Sequence, residues 1–436
     1  MKIKPILTAC WDNRIKLSIV AFMTVLHFFS LFQRVAVPGT IFNELQSDFA
    51  TSAIAITLLG AIGIYIYASM QVFAGIMADR FGAARVLLTG AAIMTVGAIL
   101  FPLSHSLTAL YVAQSLVGFG AGLIFVSLVK EIDELFGERH FAMVLSITAF
   151  LGYTGWLAAT FPLERAVSAF GWRRSMLTAG ILGGIVLVCT WWLLHKTKGV
   201  IVRNRSSSLA GVADVLLNKS ALPLQFSGAI TFSIYFLLQA AIGKKLLQDF
   251  WGFSSAIAAF YTLLMALTNM MGLGISGFLS RLMGNRRRPL LIGSTAVMFA
   301  STVCFTFILW KGLDRRWVLP CCILLAASAS FSPIWCATMK ELNRPDSAAT
   351  SIGLLNGVSY LFMAIAMNSA GIIMDMHKAQ STVTATAIIY PAGAYITILT
   401  GCSVLALFSL MASLFIKETF GKSIYGEKVI AANGCA

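Results

Sequence analysis

Charge is scarce in this chain, and acids are scarcer than bases: 11% of its 436 residues are charged, 17 of them Asp or Glu and 32 Lys or Arg. Soluble domains carry about 25% charged residues, so an ordinary water-facing surface is excluded. Histidine is sparse, with His27, His105, His140, His195 and His377 scattered far apart. No zinc-type His/Cys spacing occurs, and no metal is expected. The sequence also lacks a phosphate-cradling P-loop and a G-x-S-x-G elbow, which removes ATP-driven transport and serine-hydrolase chemistry. Neither enzyme activity nor a cofactor is expected. Cys189, Cys304, Cys321, Cys322, Cys336 and Cys402 fall inside apolar runs, where cysteine packs as a small hydrophobe and does not build a disulfide framework.

What the sequence has in abundance is apolar side chain, 58% of all residues. Crossing about 30 Å of hydrocarbon takes roughly 20 apolar residues. Twelve runs near that length can be read, six between about 17 and 194 and six between about 221 and 416. In lipid each must satisfy its own backbone as a helix. The fold class is therefore all-α integral membrane, with twelve transmembrane helices in two six-helix, pseudo-symmetric halves. The expected divisions are an N-terminal six-helix bundle at 1–194, a cytoplasmic central loop at 195–219, a C-terminal six-helix bundle at 220–416 and a cytoplasmic tail at 417–436.

A net charge of +15 would suggest nucleic acid in a soluble protein, but here the basic residues lie in short gaps between the apolar runs. That is a topology signal, and no nucleic-acid partner is expected. With a cytoplasmic N-terminus, 21 Lys and Arg residues fall inside and 9 outside, Lys244 and Lys245 among the outside loop charges, so both termini are read as cytoplasmic. Arg34 and Lys130 remain at membrane depth.

The two halves share a pattern. After span 2 the chain reads GIMADRFGAARVLLTG, and after span 8 it reads GFLSRLMGNRRRPLLIG. Gly75 and Gly82, like Gly277 and Gly284, are seven residues apart, and Arg85 and Arg287 follow the second glycines. Physically, Asp79 suits the positive N-terminal end of a neighbouring helix, and Arg80 and Arg85 suit carboxylates or phosphates. Gly75 and Gly82 allow close approach and a tight turn.

The G-x-x-x-D-R-x-G-x-x-R loop resembles the signature loop of the major facilitator superfamily. GWRRSM at 171–176 is similar to another stretch common there, and YIYASMQVFAGIMADRFG resembles a bacterial group of facilitators. The resemblance covers essentially the whole chain. It implies secondary transport by alternating access, a gate formed by Gly75, Asp79, Arg80, Gly82 and Arg85 that closes the cytoplasmic side, and placement in the cell inner (plasma) membrane. Two positions depart from the pattern. Arg281 stands where the first loop has Asp79, and Gln114 stands where many proton-coupled members carry arginine.

Ionisable residues inside a membrane are functional candidates by default. In span 1, His27, Ser30 and Arg34 share one helical face. Arg34 offers a planar fork of donors for a carboxylate or phosphate, and the resemblance points the same way, since facilitators of organic anions commonly use a span 1 arginine. The opposing reading is an arginine snorkelling to the interface or held in a structural pair. His27 is the candidate for a coupling proton, against the plainer role of bonding a neighbour. Lys130 is either a second cavity cation or an i,i+4 partner of Glu134. Tyr67, Gln71, Tyr235, Gln239, Asn356 and Tyr360 complete the candidate substrate-binding set. Thr231 and Asn269 accompany them; any one of these residues is more often a helix–helix contact than a ligand, and as a set they suggest a mildly polar central cavity.

The expected function is secondary active transport of a small solute, an organic anion or other small metabolite, with symport driven by a proton or sodium ion. The expected partners are that solute, the ion and the lipid bilayer, and the expected state is a monomer. Efflux of amphiphilic compounds is the alternative, suggested by 31 Phe and 18 Met and weakened by the want of a clear carboxylate at depth. A membrane solute sensor is the alternative of another class, disfavoured by short loops.

Overall fold

A chain that meets hydrocarbon folds into helices long enough to cross it, and the computed structural model is built of such helices. It describes residues 3–197, 215, 217–344, 348–384 and 387–424, with side chains from Ile15 onward except at 72, 138–140, 142, 197, 348 and 349. Most of the expected central loop (198–214 and 216), the end of the expected tail (425–436), and the side chains of Lys2, Lys4, Arg14, Arg139 and His140 lie outside the described residues.

Among the described residues, eleven single helices are long and apolar enough to cross a membrane, and a bent pair brings the count to twelve. Spans 1 to 4 are Ile15–Thr40, Ala53–Gln71, Ala83–Leu103 and Leu107–Gly137, and span 6 is Trp172–Lys196. Span 5 is the bent pair, Met143–Ala158 and Phe161–Phe170, turning by 40°. Pro162 near the start of its second helix cannot continue the first one's hydrogen bonds. Spans 7 to 12 are Leu222–Ala240, Ser255–Leu282, Arg287–Lys311, Arg315–Glu341, Thr350–Met376 and Ala392–Ser413. Spans 4 and 5 are separated by Gly137, whose φ of 61° only glycine adopts cheaply.

The chain divides into two compact units. One comprises Met1–Ala36 and Tyr65–Ser207; the other comprises Val37–Ile64 and Ser208–Ala436. The ends of spans 1 and 2 away from the signature loop are thus built into the unit that holds spans 7 to 12. Within the first unit, span 3 packs on spans 4 and 6, and span 1 on spans 5 and 6. Within the second, span 9 packs on spans 10 and 12, and span 7 on spans 11 and 12. The same four pairings recur, which is the internal repeat expressed as packing.

Small residues set the closest of these approaches. A Cβ added to Gly90 would lie 2.7 Å from the Gly120 carbonyl, and one on Gly97 would lie 2.6 Å from the Ala113 carbonyl. Gly90 and Gly97 on span 3 therefore meet Ala113 and Gly120 on span 4 along a seam of small residues. Elsewhere the helices turn bulky side chains outward. Span 6 exposes Ile185, Val188, Trp191 and Trp192, and Lys196 lies 4.9 Å over the Trp192 ring, an arrangement suited to lipid with an interfacial anchor.

The arginine of the GWRRSM stretch closes a helix end. Arg173 donates from one guanidinium nitrogen to the carbonyls of Pro102 (2.8 Å) and Ser104 (2.7 Å), satisfying acceptors at the C-terminus of span 3.

Gly97→Val is expected to overpack the seam and lower stability by about 1–3 kcal/mol, read as a lower Tm of the purified protein. Gly277→Ala, where an added Cβ meets nothing within 4 Å, is expected to leave Tm unchanged or slightly raised.

Candidate solute site and gate

Span 1 carries its polar stripe as the spacing predicts, and all of it is buried: His27, Ser30, Gln33 and Arg34 are each at most 6% exposed. The Arg34 Nε donates to the Ser30 carbonyl (3.3 Å), one turn back, and its guanidinium lies 4.2 Å over the Tyr67 ring. Two candidates from different spans are therefore in contact, and the guanidinium plane is fixed by an aromatic face and a carbonyl.

His27 lies seven residues deeper in span 1. Its ring packs on Phe125, with centroids 5.0 Å apart, and against Gly152, where an added Cβ would come within 2.6 Å of the ring. Its Nδ1, the Ser30 hydroxyl, the Gln114 carbonyl oxygen and the Ser127 hydroxyl are buried polar atoms without a hydrogen-bond partner in the structure. Such atoms in a low-dielectric interior are costly unless water or a ligand reaches them.

Gln71 is used differently from the expectation of a cavity-lining group. Its amide donates to the Gly122 carbonyl (3.3 Å) and ties span 2 to span 4. Asn269 does the same in the other unit, donating to the Ala326 carbonyl of span 10 (3.4 Å). Of the remaining candidates in that unit, the Tyr235 hydroxyl donates to the Met265 carbonyl (3.4 Å). Thr231 bonds the Ser409 hydroxyl (3.2 Å), and half-buried Tyr360 sits edge-on to Phe232. Asn356 is half-buried. Gln239 stands out: it is 2% exposed, and neither end of its amide has a partner.

The signature loop is organised by Lys130. Its Nζ donates to Asp79 Oδ1 at 2.5 Å, with Glu134 farther off at 3.9 Å. The lysine at the signature-loop end of span 4 thus takes the loop carboxylate, in addition to the Glu134 pairing read from the sequence. The next residue, Glu131, is buried, at 5% exposure, beside the start of span 3. Gly82 has φ 90° and lies between the helices of spans 2 and 3, so the turn requires glycine there. At Gly75 an added Cβ would meet only Val126, at 3.9 Å, so close approach is not what that position needs. Arg80 and Arg85 are exposed, with Arg80 5.4 Å over the Phe81 ring.

The second copy of the loop is tied by groups the sequence reading passed over. Arg287 donates to Glu341 at 3.0 and 3.4 Å and to the Ser280 hydroxyl at 2.5 Å. Glu341 also accepts from the Thr419 hydroxyl (2.5 Å), and Glu418 takes the backbone N–H groups of Arg287 (2.8 Å) and Arg288 (3.1 Å) at the start of span 9. A signal was available: Lys340-Glu341 at the end of span 10 repeats Lys130-Glu131 at the end of span 4.

With two sets of six spans sharing one packing scheme and a gate-type loop in each, comparison with known proteins is decisive. The sequence model of the Major Facilitator Superfamily matches residues 23–367. The chain belongs to the major facilitator superfamily. Human monocarboxylate transporter 7 is 28% identical over 149 residues, covering 33% of this chain and 28% of that protein. Multidrug resistance protein MdtL of Escherichia coli O157:H7 is 25% identical over 251 residues, covering 56% of this chain and 62% of that protein. The chain therefore spans less than two thirds of the length of these relatives. Among solved structures, a D-xylose–proton symporter superposes with a TM-score of 0.73 at 15% identity, covering 94% of this chain and 99% of its own, a likeness of fold alone. The family and its structural neighbours are transporters, not enzymes.

The Lys130–Asp79 pair is about one-fifth exposed on each side, so its stabilising worth is modest. A double-mutant cycle of Asp79→Asn and Lys130→Met is expected to return a coupling of about 0.2–1 kcal/mol in thermal stability. The same substitutions are expected to change cytoplasmic accessibility far more than Tm. Unchanged accessibility to a membrane-impermeant thiol reagent would remove the gate role.

Proposed function

We propose that this chain is a secondary active transporter that moves a small organic anion by alternating access, with Arg34 as the group that meets the anion. The observation that carries this reading is the setting of Arg34. It lies within the first apolar run, whereas Lys130, the other cation read at membrane depth, stands near the end of span 4 and pairs with Asp79. Arg34 is buried, and Tyr67 and the Ser30 carbonyl hold its guanidinium in one orientation. Placing a cation at that depth costs roughly 2.5–3.5 kcal/mol on insertion scales, and an anionic solute offsets that cost by pairing with it. A transporter of cations would place a carboxylate there. The name of the human relative, a monocarboxylate transporter, agrees with an anion.

In this reading Tyr67 positions Arg34 and does not itself select the solute. Gln239, with both amide ends unpartnered, is the best neutral candidate in the second unit. Tyr235, Asn356 and Tyr360 are secondary, and Gln71 acts mainly in packing. His27 is the candidate proton carrier because a buried imidazole nitrogen stands without a partner. Coupling to a proton or sodium ion by symport, residence in the cell inner membrane with both termini cytoplasmic, a monomeric state and the division into halves at 1–194 and 220–416 complete the proposal. The Asp79–Lys130 loop serves as the cytoplasmic gate.

Efflux of amphiphilic compounds is the second reading, favoured by the similarity to MdtL, a multidrug resistance protein, over 56% of the chain. The two separate in one experiment. Purified wild type and Arg34→Ala are screened by thermal shift, then by uptake in liposomes, against mono- and dicarboxylates, sugar phosphates and hydrophobic cations. A bound anion at a hundredfold excess over its Kd stabilises by about 2.7 kcal/mol, and this shift is expected to vanish in Arg34→Ala. Stabilisation by hydrophobic cations alone, equal in both proteins, would establish efflux instead.

A further inference from the structure

The far ends of spans 1 and 2, opposite the signature loop, are fastened to the second unit by a layer of buried charge that topology alone would have placed in outside loops. Lys244 and Lys245, read from the sequence as loop charges, begin the nine-residue helix Gly243–Trp251 and are 4% and 1% exposed. Lys244 Nζ donates to the Thr40 carbonyl at the end of span 1 (2.6 Å). Lys245 Nζ donates to Asp249 (2.8 Å) and to the Ile388 carbonyl (2.6 Å). The other oxygen of Asp249 accepts from the Tyr395 hydroxyl (2.6 Å) and the Tyr390 backbone N–H (3.0 Å). Tyr390 in turn accepts from Gln46 (3.0 Å), on the helix Phe42–Asp48 between spans 1 and 2. Asn43 of the same short helix donates to Gln248 (3.1 Å), and Glu44 adds a further negative charge acting on Lys245. Finally, the two carboxylate oxygens of Asp375, at the end of span 11, accept the backbone N–H groups of Ala53 and Ile54, each at 2.9 Å. They cap the helix of span 2 with a charge that complements its dipole.

Spans 1 and 2 are the helices in which the unit boundary falls, at Ala36–Val37 and at Ile64–Tyr65. At the first of these Val37 leaves helical geometry, with φ −116° and ψ 119°. Their inner parts belong to one unit and their outer parts to the other. The fastening is made of hydrogen bonds and ion pairs, contacts that water can replace when they part, and not of interlocked apolar side chains alone. We propose that Asp375, Asp249 and Lys245 form the outer gate of the transport cycle. They hold the outer ends of spans 1 and 2 and release them together when the path opens to that side. This rests on the reading of the chain as a transporter but on no particular solute.

The test needs no solute, so its failure is distinct from failure of the anion reading. Amide hydrogen exchange is measured on the full chain in lipid nanodiscs, comparing wild type with Asp375→Asn and Asp249→Asn. Either substitution is expected to speed exchange roughly tenfold, the loss of a charge-assisted bond. The acceleration should appear concertedly over 42–48, 53–56 and 243–251, with the Asp79–Lys130 region unchanged or slower. Acceleration confined to the amides of Ala53 and Ile54 in Asp375→Asn, or spread equally over both ends of the molecule, would overturn the proposal. Should Asp249→Asn fail to fold, Tyr395→Phe removes one O–H from the same carboxylate and carries the test with the same outcomes.

Discussion

A helix that crosses hydrocarbon satisfies its backbone everywhere except at its two ends, and the four orphan groups at each end are the constraint around which this protein spends its few charges. Asp375 closes the start of span 2, Glu418 the start of span 9 and Arg173 the end of span 3. Each comes from a helix or segment distant in sequence, so each cap also fixes one element against another. With only 17 acids in the chain, a carboxylate that caps a helix is doing the work of a packing contact as well.

The repeat shows how far that economy can diverge while the packing stays the same. Both halves turn through a positive-φ glycine, Gly82 at 90° and Gly284 at 64°. Both place a Lys-Glu pair at the C-terminal end of the fourth span of the half. In the first half the lysine of that pair reaches back to the loop acid, Lys130 to Asp79. In the second the loop position is Arg281, and the glutamate of the pair takes Arg287. The charge pattern is exchanged and the geometry of a tied loop survives, because either sign of pair can bridge the same gap.

How much of this was legible depends on the range of the signal. Spans, their number and the turn glycines are local: an apolar run or a single backbone angle carries them, and Gly82 was read correctly because its neighbours do not matter to its φ. Arg34 was legible as a charge inside an apolar run, but its seat against Tyr67 was not, since the two lie on different helices. Lys130 was read either as a second cavity cation or as the partner of Glu134, and it also joins Asp79 across two spans. Gln71 was legible as a lining group or a helix–helix contact, and only the fold shows that its partner is Gly122. Lys244 and Lys245 were counted as loop charges because a positive-inside tally sees only their position in the chain, not the Asp249, Ile388 and Thr40 oxygens that bury them.

The sequence by itself determined that this is a chain of lipid-crossing helices in two related sets, with Arg34 and Lys130 at membrane depth, because hydropathy and glycine geometry are properties of short stretches. The tertiary structure decided which carboxylate meets which cation and which helix end each polar side chain closes. Those partners lie as far apart in the chain as Gln46 and Tyr390, or Ala53 and Asp375. A hydrogen bond of about 3 Å depends on where folded helices place their termini, and nothing in the local pattern of residues encodes that distance.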